Sequence, residues 1–293
     1  MNELPKNIST VLKGIAILLI ILSHIAGVCG IRYFTPLGGI GVSIFLFLSG
    51  YGLTESVSKR GLCNFWKRRI WTVMVPYLVI EISVLLVSKN YDFEEFIYSA
   101  FLIRPRLTQI WYLQYLMICY VIFWCVFKFI TEEKRLKVLL LLFVLFFIFM
   151  PEIAAEQSLS FWSGCLFAKH KELFSKVKKF FVFLIIIGII ALLCKQFNFV
   201  RTAPQLVMNF VQLFIKFPCA LGIIGIMYGY TEKLKLGMFK KIGSISYELY
   251  LTHINLLYMV GYNLFWGLIF LIIIVMFSTL LHLGIKNVQK MLV

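Results

Sequence analysis

The sequence predicts an all-α integral membrane protein: one domain over residues 1–293, a bundle of about ten transmembrane helices with both termini cytoplasmic. Three observations carry this. The chain is 61% hydrophobic and only 14% charged, with a mean hydropathy of +0.92, whereas soluble domains carry about 25% charged residues. Apolar runs of the roughly 17–25 residues that span a bilayer fill nearly the whole chain. The cations also segregate: with the N-terminus inside, the inner segments hold 21 Lys and Arg and the outer ones six. That asymmetry is the positive-inside pattern, and it accounts for the net charge of +16 without nucleic acid as a partner.

Turn and charge signals place the spans in order. The first, 10–29, reads as an uncleaved helix, because "AGVCG" offers no A-x-A cleavage site and further spans follow at once. The second, 38–56, runs into a basic inner loop with Lys59, Arg60, Lys67, Arg68 and Arg69. The third, 71–88, leads to the longest outer loop, where "FEEFIYSAFLI" suggests an amphipathic segment lying on the surface. The fourth and fifth are 110–129 and 137–151. The sixth, "SLSFWSGCLFAK" at 158–169, is short for a span. A second basic loop with Lys169, Lys171, Lys176, Lys178 and Lys179 precedes the seventh, 180–195. The last three are 205–229, 243–262 and 264–284. The seven cysteines are irregularly spaced and form no CxxC pair, so they read as small buried hydrophobes rather than disulfide or metal ligands. No histidine pair has the HxxxH spacing of a metal site.

Ionisable groups within spans are costly and are functional candidates. Lys13 and His24 are eleven residues apart. At 100° per residue that is about 1100°, roughly 20° past three full turns, so both share one helix face about 16.5 Å apart. Arg69 to Glu81 and Lys241 to His253 each span twelve residues, about 18 Å. His24, Glu81 and His253 thus fall at similar depth, which suggests a polar cavity near the midplane reached from a basic cytoplasmic rim. Bland readings stand beside this. His24 and His253 can each bond a neighbouring helix, His253 with Glu248 or Tyr250. Glu81 can pair with a cation, Lys216 can reach a carbonyl freed by Pro218, and His282 can sit at the interface.

Five blocks in order resemble the membrane acyltransferase 3 family. "KGIAILLIILSH" places Lys13 and His24 at the family's basic residue and histidine. "GGIGVSIFLFLSGYGL", "FWKRRIWTVMVPYLV", "QIWYLQYLMICYVIF" and "GSISYELYLTHINLL" follow, the last with His253 at the family's histidine. The chain departs from the pattern in having Lys at position 13, where Arg is commoner, and Thr72 where a second Arg often stands. The resemblance implies transfer of an acyl group, commonly acetyl, from cytoplasmic acyl-CoA to a hydroxyl of an envelope polysaccharide or lipid-linked glycan. It implies a multi-pass protein of the plasma membrane with no permanently bound cofactor and acetyl-CoA as donor substrate. The partners are then acyl-CoA, a carbohydrate or lipid-linked acceptor and the lipid bilayer. Catalytic candidates are His24, as general base or acyl carrier, with Lys13, His253 and Glu81. Lys13, Lys67, Arg68 and Arg69 suit the phosphates of CoA. Trp111, Tyr112, Tyr247 and Tyr250 are candidate acceptor contacts.

The main rival is a transporter or flippase, which a midplane polar layer also fits. It predicts broken helices in corresponding halves, and no inverted repeat is visible. A purely structural membrane protein leaves the layer of His24, Glu81 and His253 unexplained.

Overall fold

The computed structural model describes residues 3–88, 92–230, 236–260 and 264–291, and these contain helices and no strand. In chain order, α1 is Lys6–Val28, α2 Thr35–Arg60, and α3 Phe65–Arg69, continued by a π-helical turn, Ile70–Met74, into α4, Val75–Val87. Then come α5 Phe93–Ala100, α6 Trp111–Phe129, α7 Glu132–Phe149, α8 Glu152–Ala155, α9 Ser158–Lys169 and α10 Leu173–Cys194. Last are α11 Asn198–Arg201, α12 Gln205–Tyr230, α13 Gly237–Ser244, α14 Ser246–Leu256 and α15 Leu264–Met291.

Among the described residues, seven helices are long and apolar enough to cross a membrane: Lys6–Val28, Thr35–Arg60, Phe65–Val87, Thr108–Phe129, Leu173–Cys194, Gln205–Tyr230 and Phe265–Asn287. The other three expected spans are helical too, but each falls short of that criterion. The span at 137–151 lies in α7 up to Phe149, and the first turns of that helix carry Glu132, Glu133, Lys134, Arg135 and Lys137. The span at 158–169 coincides with α9, 12 residues long, about 18 Å against a hydrocarbon core of about 30 Å. The span at 243–262 is divided among α13, α14 and a 3₁₀ turn, Leu257–Val260, and its last two residues lie outside the described ones. The outer-loop segment does form a helix. In α5 the Asp92 side chain accepts the Glu95 amide at 2.8 Å, and Phe93, Ile97 and Tyr98 are exposed along it.

The chain divides into two compact units. The first comprises residues 1–27, 31–61 and 119–244. Its helices meet where glycines remove side chains. A Cβ on Gly164 of α9 would collide with the Phe47 carbonyl of α2 and lie 2.8 Å from the Tyr51 nitrogen. Along the α10–α12 seam, a Cβ on Gly188 would lie 2.9 Å from the Ile215 carbonyl oxygen, and one on Gly225 would lie 2.7 Å from that of Val177. Close backbone approach of this kind supplies the packing that holds helices together in lipid, where no hydrophobic drive operates between them. Edge-to-face rings of Phe47, Phe167 and Phe174, with centroids 5.0–6.3 Å apart, fill the core beside them.

A buried polar seam crosses the same unit. Lys216 on α12 pairs with Glu156, just after α8. Gln157 donates to Glu156 (3.3 Å) and to the Gly39 carbonyl (3.1 Å), and accepts from the Ser43 hydroxyl (2.7 Å). Gln212 donates to Glu152 at 2.5 Å, and Asn209 to the Phe147 carbonyl at 3.1 Å. Lys216 therefore meets a carboxylate and not the carbonyl near Pro218 that the sequence suggested. Its stem passes Gly39 so closely that a Cβ there would lie 2.5 Å from Cδ.

The N-terminal tail is tied to this unit. The Leu4 amide donates to the Tyr51 hydroxyl at 3.0 Å, and Lys171 binds Glu3 and, at 3.3 Å, Glu55. The Lys171 hydrogen bond, then its charge, holds the Glu3 carboxyl below its ordinary value of 4.5. Glu3, through the same hydrogen bond, raises Lys171.

The second unit comprises residues 28–30, 62–118 and 245–293. It contains α3 to α5, the first turns of α6, α14 and α15. Here α14 packs on α15 and α4, and Thr252 and Ser278 share a hydrogen bond of 2.6 Å between α14 and α15.

Candidate functional site

In the first unit, α1 carries Lys13 and His24. Ile17 and Ile20 fall between them on the same stripe, and they are 0% and 2% exposed. The Lys13–His24 face is thus packed inside protein over its middle, with Lys13 exposed at one end and His24 half-buried at the other. Two contacts fix that register. The Ser23 hydroxyl, beside His24, donates to the Thr35 carbonyl at 2.9 Å. At the Lys13 end, Gly14 lies against the backbone of Phe239 and Gly243, and Gly243 against the Thr10 carbonyl, so neither position has room for a Cβ. This crossing brings α13, with exposed Lys240 and Lys241, alongside the part of α1 that bears Lys13.

In the second unit the polar centre is Glu81. It is fully buried on α4, and the Arg106 guanidinium stands 3.8 Å from its carboxylate. Arg106 also donates to the Asn255 side-chain oxygen. Its backbone amide donates to the Ser99 hydroxyl at 3.2 Å, and Ser99 in turn bonds the Tyr77 hydroxyl at 2.8 Å. A loop arginine is thus held, through its guanidinium and its own backbone amide, by side chains from three helices. It forms the wall of a pocket of about 990 Å³, which Gln109, Thr252 and Asn255 also line, along with apolar Val84, Val87 and Phe277. Such a wall offers hydrogen-bond donors and acceptors to a polar ligand on an apolar bed.

His253 is completely buried on α14. Its Nδ1 lies 2.8 Å from the Leu249 carbonyl oxygen. A neutral ring donating there carries its proton on Nδ1 and leaves the lone pair on Nε2. The predicted aromatics gather around it. Ring centroids run from Trp111 to Tyr112 (6.5 Å), Tyr112 to Tyr250 (5.2 Å) and Tyr250 to His253 (5.8 Å), with Tyr247 6.4 Å from Tyr250. Tyr112 and Tyr250 are buried, and the Tyr250 hydroxyl donates to the Gln109 carbonyl at 2.8 Å. The Tyr247 hydroxyl donates to the Val73 carbonyl at 2.7 Å. Trp111 is the half-exposed member. Lys67, Arg68 and Arg69 sit together on α3, with Lys67 exposed and Arg69 5.9 Å from the Phe65 ring centroid.

Several partners escaped the sequence reading. Arg106, which no pattern in the sequence singles out, is the cation that meets Glu81. Glu248 pairs with His282 at 2.7 Å, joining two groups read as separate. Asn209, Gln212 and Lys216 recur at helical spacing on α12, a polar stripe in an apolar span that the sequence does display. Among the described residues, no group of His, Cys, Asp and Glu is arranged to hold a metal ion.

The family model described as an acyltransferase domain, acyltransferase 3, matches residues 8–284, nearly the whole chain. No curated protein and no solved structure matches. The chain's five motif blocks, its helices long and apolar enough to cross a membrane and this match agree, and the chain belongs to the acyltransferase 3 family.

Proposed function

We propose that the protein moves an acyl group, acetyl in the first instance, from cytoplasmic acyl-CoA to a hydroxyl of a cell-envelope or exported polysaccharide or glycolipid. His24 is the general base. Its imidazole takes the proton of the acceptor hydroxyl as that oxygen attacks the thioester carbonyl. The C–S bond breaks, and the imidazolium returns the proton to the departing CoA thiolate. The reading rests on the Lys13–His24 stripe: a cation at one end, an imidazole about three turns away, and buried Ile17 and Ile20 between them. Such a stripe faces protein and not lipid.

Lys13, Lys67, Arg68 and Arg69 are assigned to the donor's phosphates, which clustered cations suit. His253 and Glu81 are assigned to the reaction layer: His253 as a buried imidazole, and Glu81 by holding Arg106. Trp111 and the Arg106 wall are assigned to the acceptor. Tyr112, Tyr247 and Tyr250 shape that region from behind, because their hydroxyls or faces are engaged within the protein. In this reading the chain crosses the plasma membrane about ten times with both termini cytoplasmic, as the distribution of its cations supports.

The test uses sealed vesicles whose cytoplasmic face is outward, supplied with acetyl-labelled acetyl-CoA and acceptor glycan. Thioester cleavage with label appearing on the glycan is expected, and its loss in His24→Ala at equal protein level. Movement of glycan without cleavage of the thioester would establish transport instead.

A further inference from the structure

We infer that the π-helical turn Ile70–Met74 is a register device, held by Tyr247, that sets Arg69 and Glu81 on one face of their helix. A plain α-helix does not do this. Twelve residues at 100° make about 1200°, leaving the two side chains roughly 120° apart. The π-turn closes hydrogen bonds five residues back, as the Val75 amide does to the Ile70 carbonyl, and so takes up one residue more than an α-turn. The remaining phase is that of eleven α-helical residues, about 1100°, or roughly 20° from coincidence. That is the phase between Lys13 and His24 on α1. Two helices of different spacing thereby present a cation and a polar group in the same relation.

Burial follows this line. Val73, Pro76, Tyr77 and Glu81 are buried, while Ile70, Thr72, Val79 and Ile82 are exposed. Two features hold the extra residue in place. Pro76 has no amide hydrogen to close an α-turn behind it. The Tyr247 hydroxyl, from α14, donates to the Val73 carbonyl inside the π-turn at 2.7 Å. Tyr247 is then a positioning residue: it acts on Arg69 through the helix and touches no substrate. Its consequence for activity rests on the acyl-transfer reading above.

The test is an epistasis experiment. Tyr247→Phe removes the hydroxyl and lets the extra residue migrate, so kcat/KM for acyl-CoA falls roughly fivefold, the scale of one hydrogen bond, chiefly through KM. Deleting Thr72, an exposed residue within the turn, converts it to an α-turn with the phase already correct, so activity is retained. In that background Tyr247→Phe has no further effect. Equal losses from Tyr247→Phe in both backgrounds, or none in the full-length chain, overturn the inference while the acyl-transfer reading stands. If the unmodified protein cleaves no thioester, that reading fails, and thiol labelling decides the register by itself. Ile70→Cys labels and Val73→Cys does not; Tyr247→Phe must erase the contrast, and its persistence refutes the device. The same labelling in Tyr247→Phe decides the matter if the deletion variant does not accumulate in the membrane.

Discussion

Replacing Arg106 by Ala leaves a carboxylate, Glu81, fully buried without the cation that faces it. At 3.8 Å and an effective dielectric constant of about 20, the pair attracts by about 4 kcal/mol. The Arg106 side chain is 23% exposed, so solvent screening reduces this to about 3 kcal/mol. Breaking a buried pair from one side costs about 3–5 kcal/mol, because the remaining charge is stranded. Arg106→Ala is therefore expected to destabilise the second unit by about 3 kcal/mol. Denaturant unfolding in nanodiscs measures this, followed by tryptophan fluorescence, since Trp66, Trp71, Trp111 and Trp266 all lie in that unit. Glu81→Gln in the Arg106→Ala background removes the stranded charge and should recover at least about 1.5 kcal/mol as a coupling energy. Arg104→Ala, which removes an exposed cation 5.6 Å from the Tyr98 ring centroid, should cost under about 1 kcal/mol. An Arg106→Ala cost below about 1 kcal/mol, or a further loss on adding Glu81→Gln, would refute the reasoning.

Gly164→Ala drives a methyl into the Phe47 backbone and should cost about 1–3 kcal/mol. Gly52→Ala on α2 meets nothing within 4 Å and should be stabilising by about 0.5–1 kcal/mol; unfolding of the two variants side by side checks both. Lys216→Met strands Glu156 in the polar seam and is expected to destabilise more than the double variant with Glu156→Gln, a comparison that the same unfolding assay makes. The tail tether should respond to pH with a definite sign. The Glu3 carboxyl is lowered in the folded state, so its contribution is full above the ordinary 4.5 and is lost as pH falls through the lower folded value. Lys171 is raised, so its contribution is full below 10.5 and fades as pH rises above that. Hydrogen exchange at the Leu4 amide, corrected for intrinsic rate, should accelerate at the acid end, and Glu3→Gln should abolish that step.

What was legible in the sequence was what depends on composition and on a fixed angular step. Apolar length marks helices wherever it occurs, and the described residues of the expected spans are largely helical. Eleven residues is a phase that any α-helix imposes, so the Lys13–His24 stripe could be read directly, and buried Ile17 and Ile20 sit along it. The aromatic motifs around Trp111 and Tyr250 were legible as residues, but not as rings packed on one another.

The tertiary structure decided the partners. Which cation meets Glu81, and whether Lys216 finds a carbonyl or a carboxylate, depends on loops such as 101–110 folding back over helices distant in sequence. No periodicity encodes that return. It also decided the phase of α4, because a π-turn, Ile70–Met74, stands ahead of Pro76 where spacing alone implied an unbroken α-helix, and the Tyr247 hydroxyl bonds the Val73 carbonyl within it. Local steric and solvation preferences act over a few residues and so are written in the chain. Pairing among buried polar groups is selected by the cost of leaving any of them unpaired in a low dielectric, and that cost arises only once the helices are assembled.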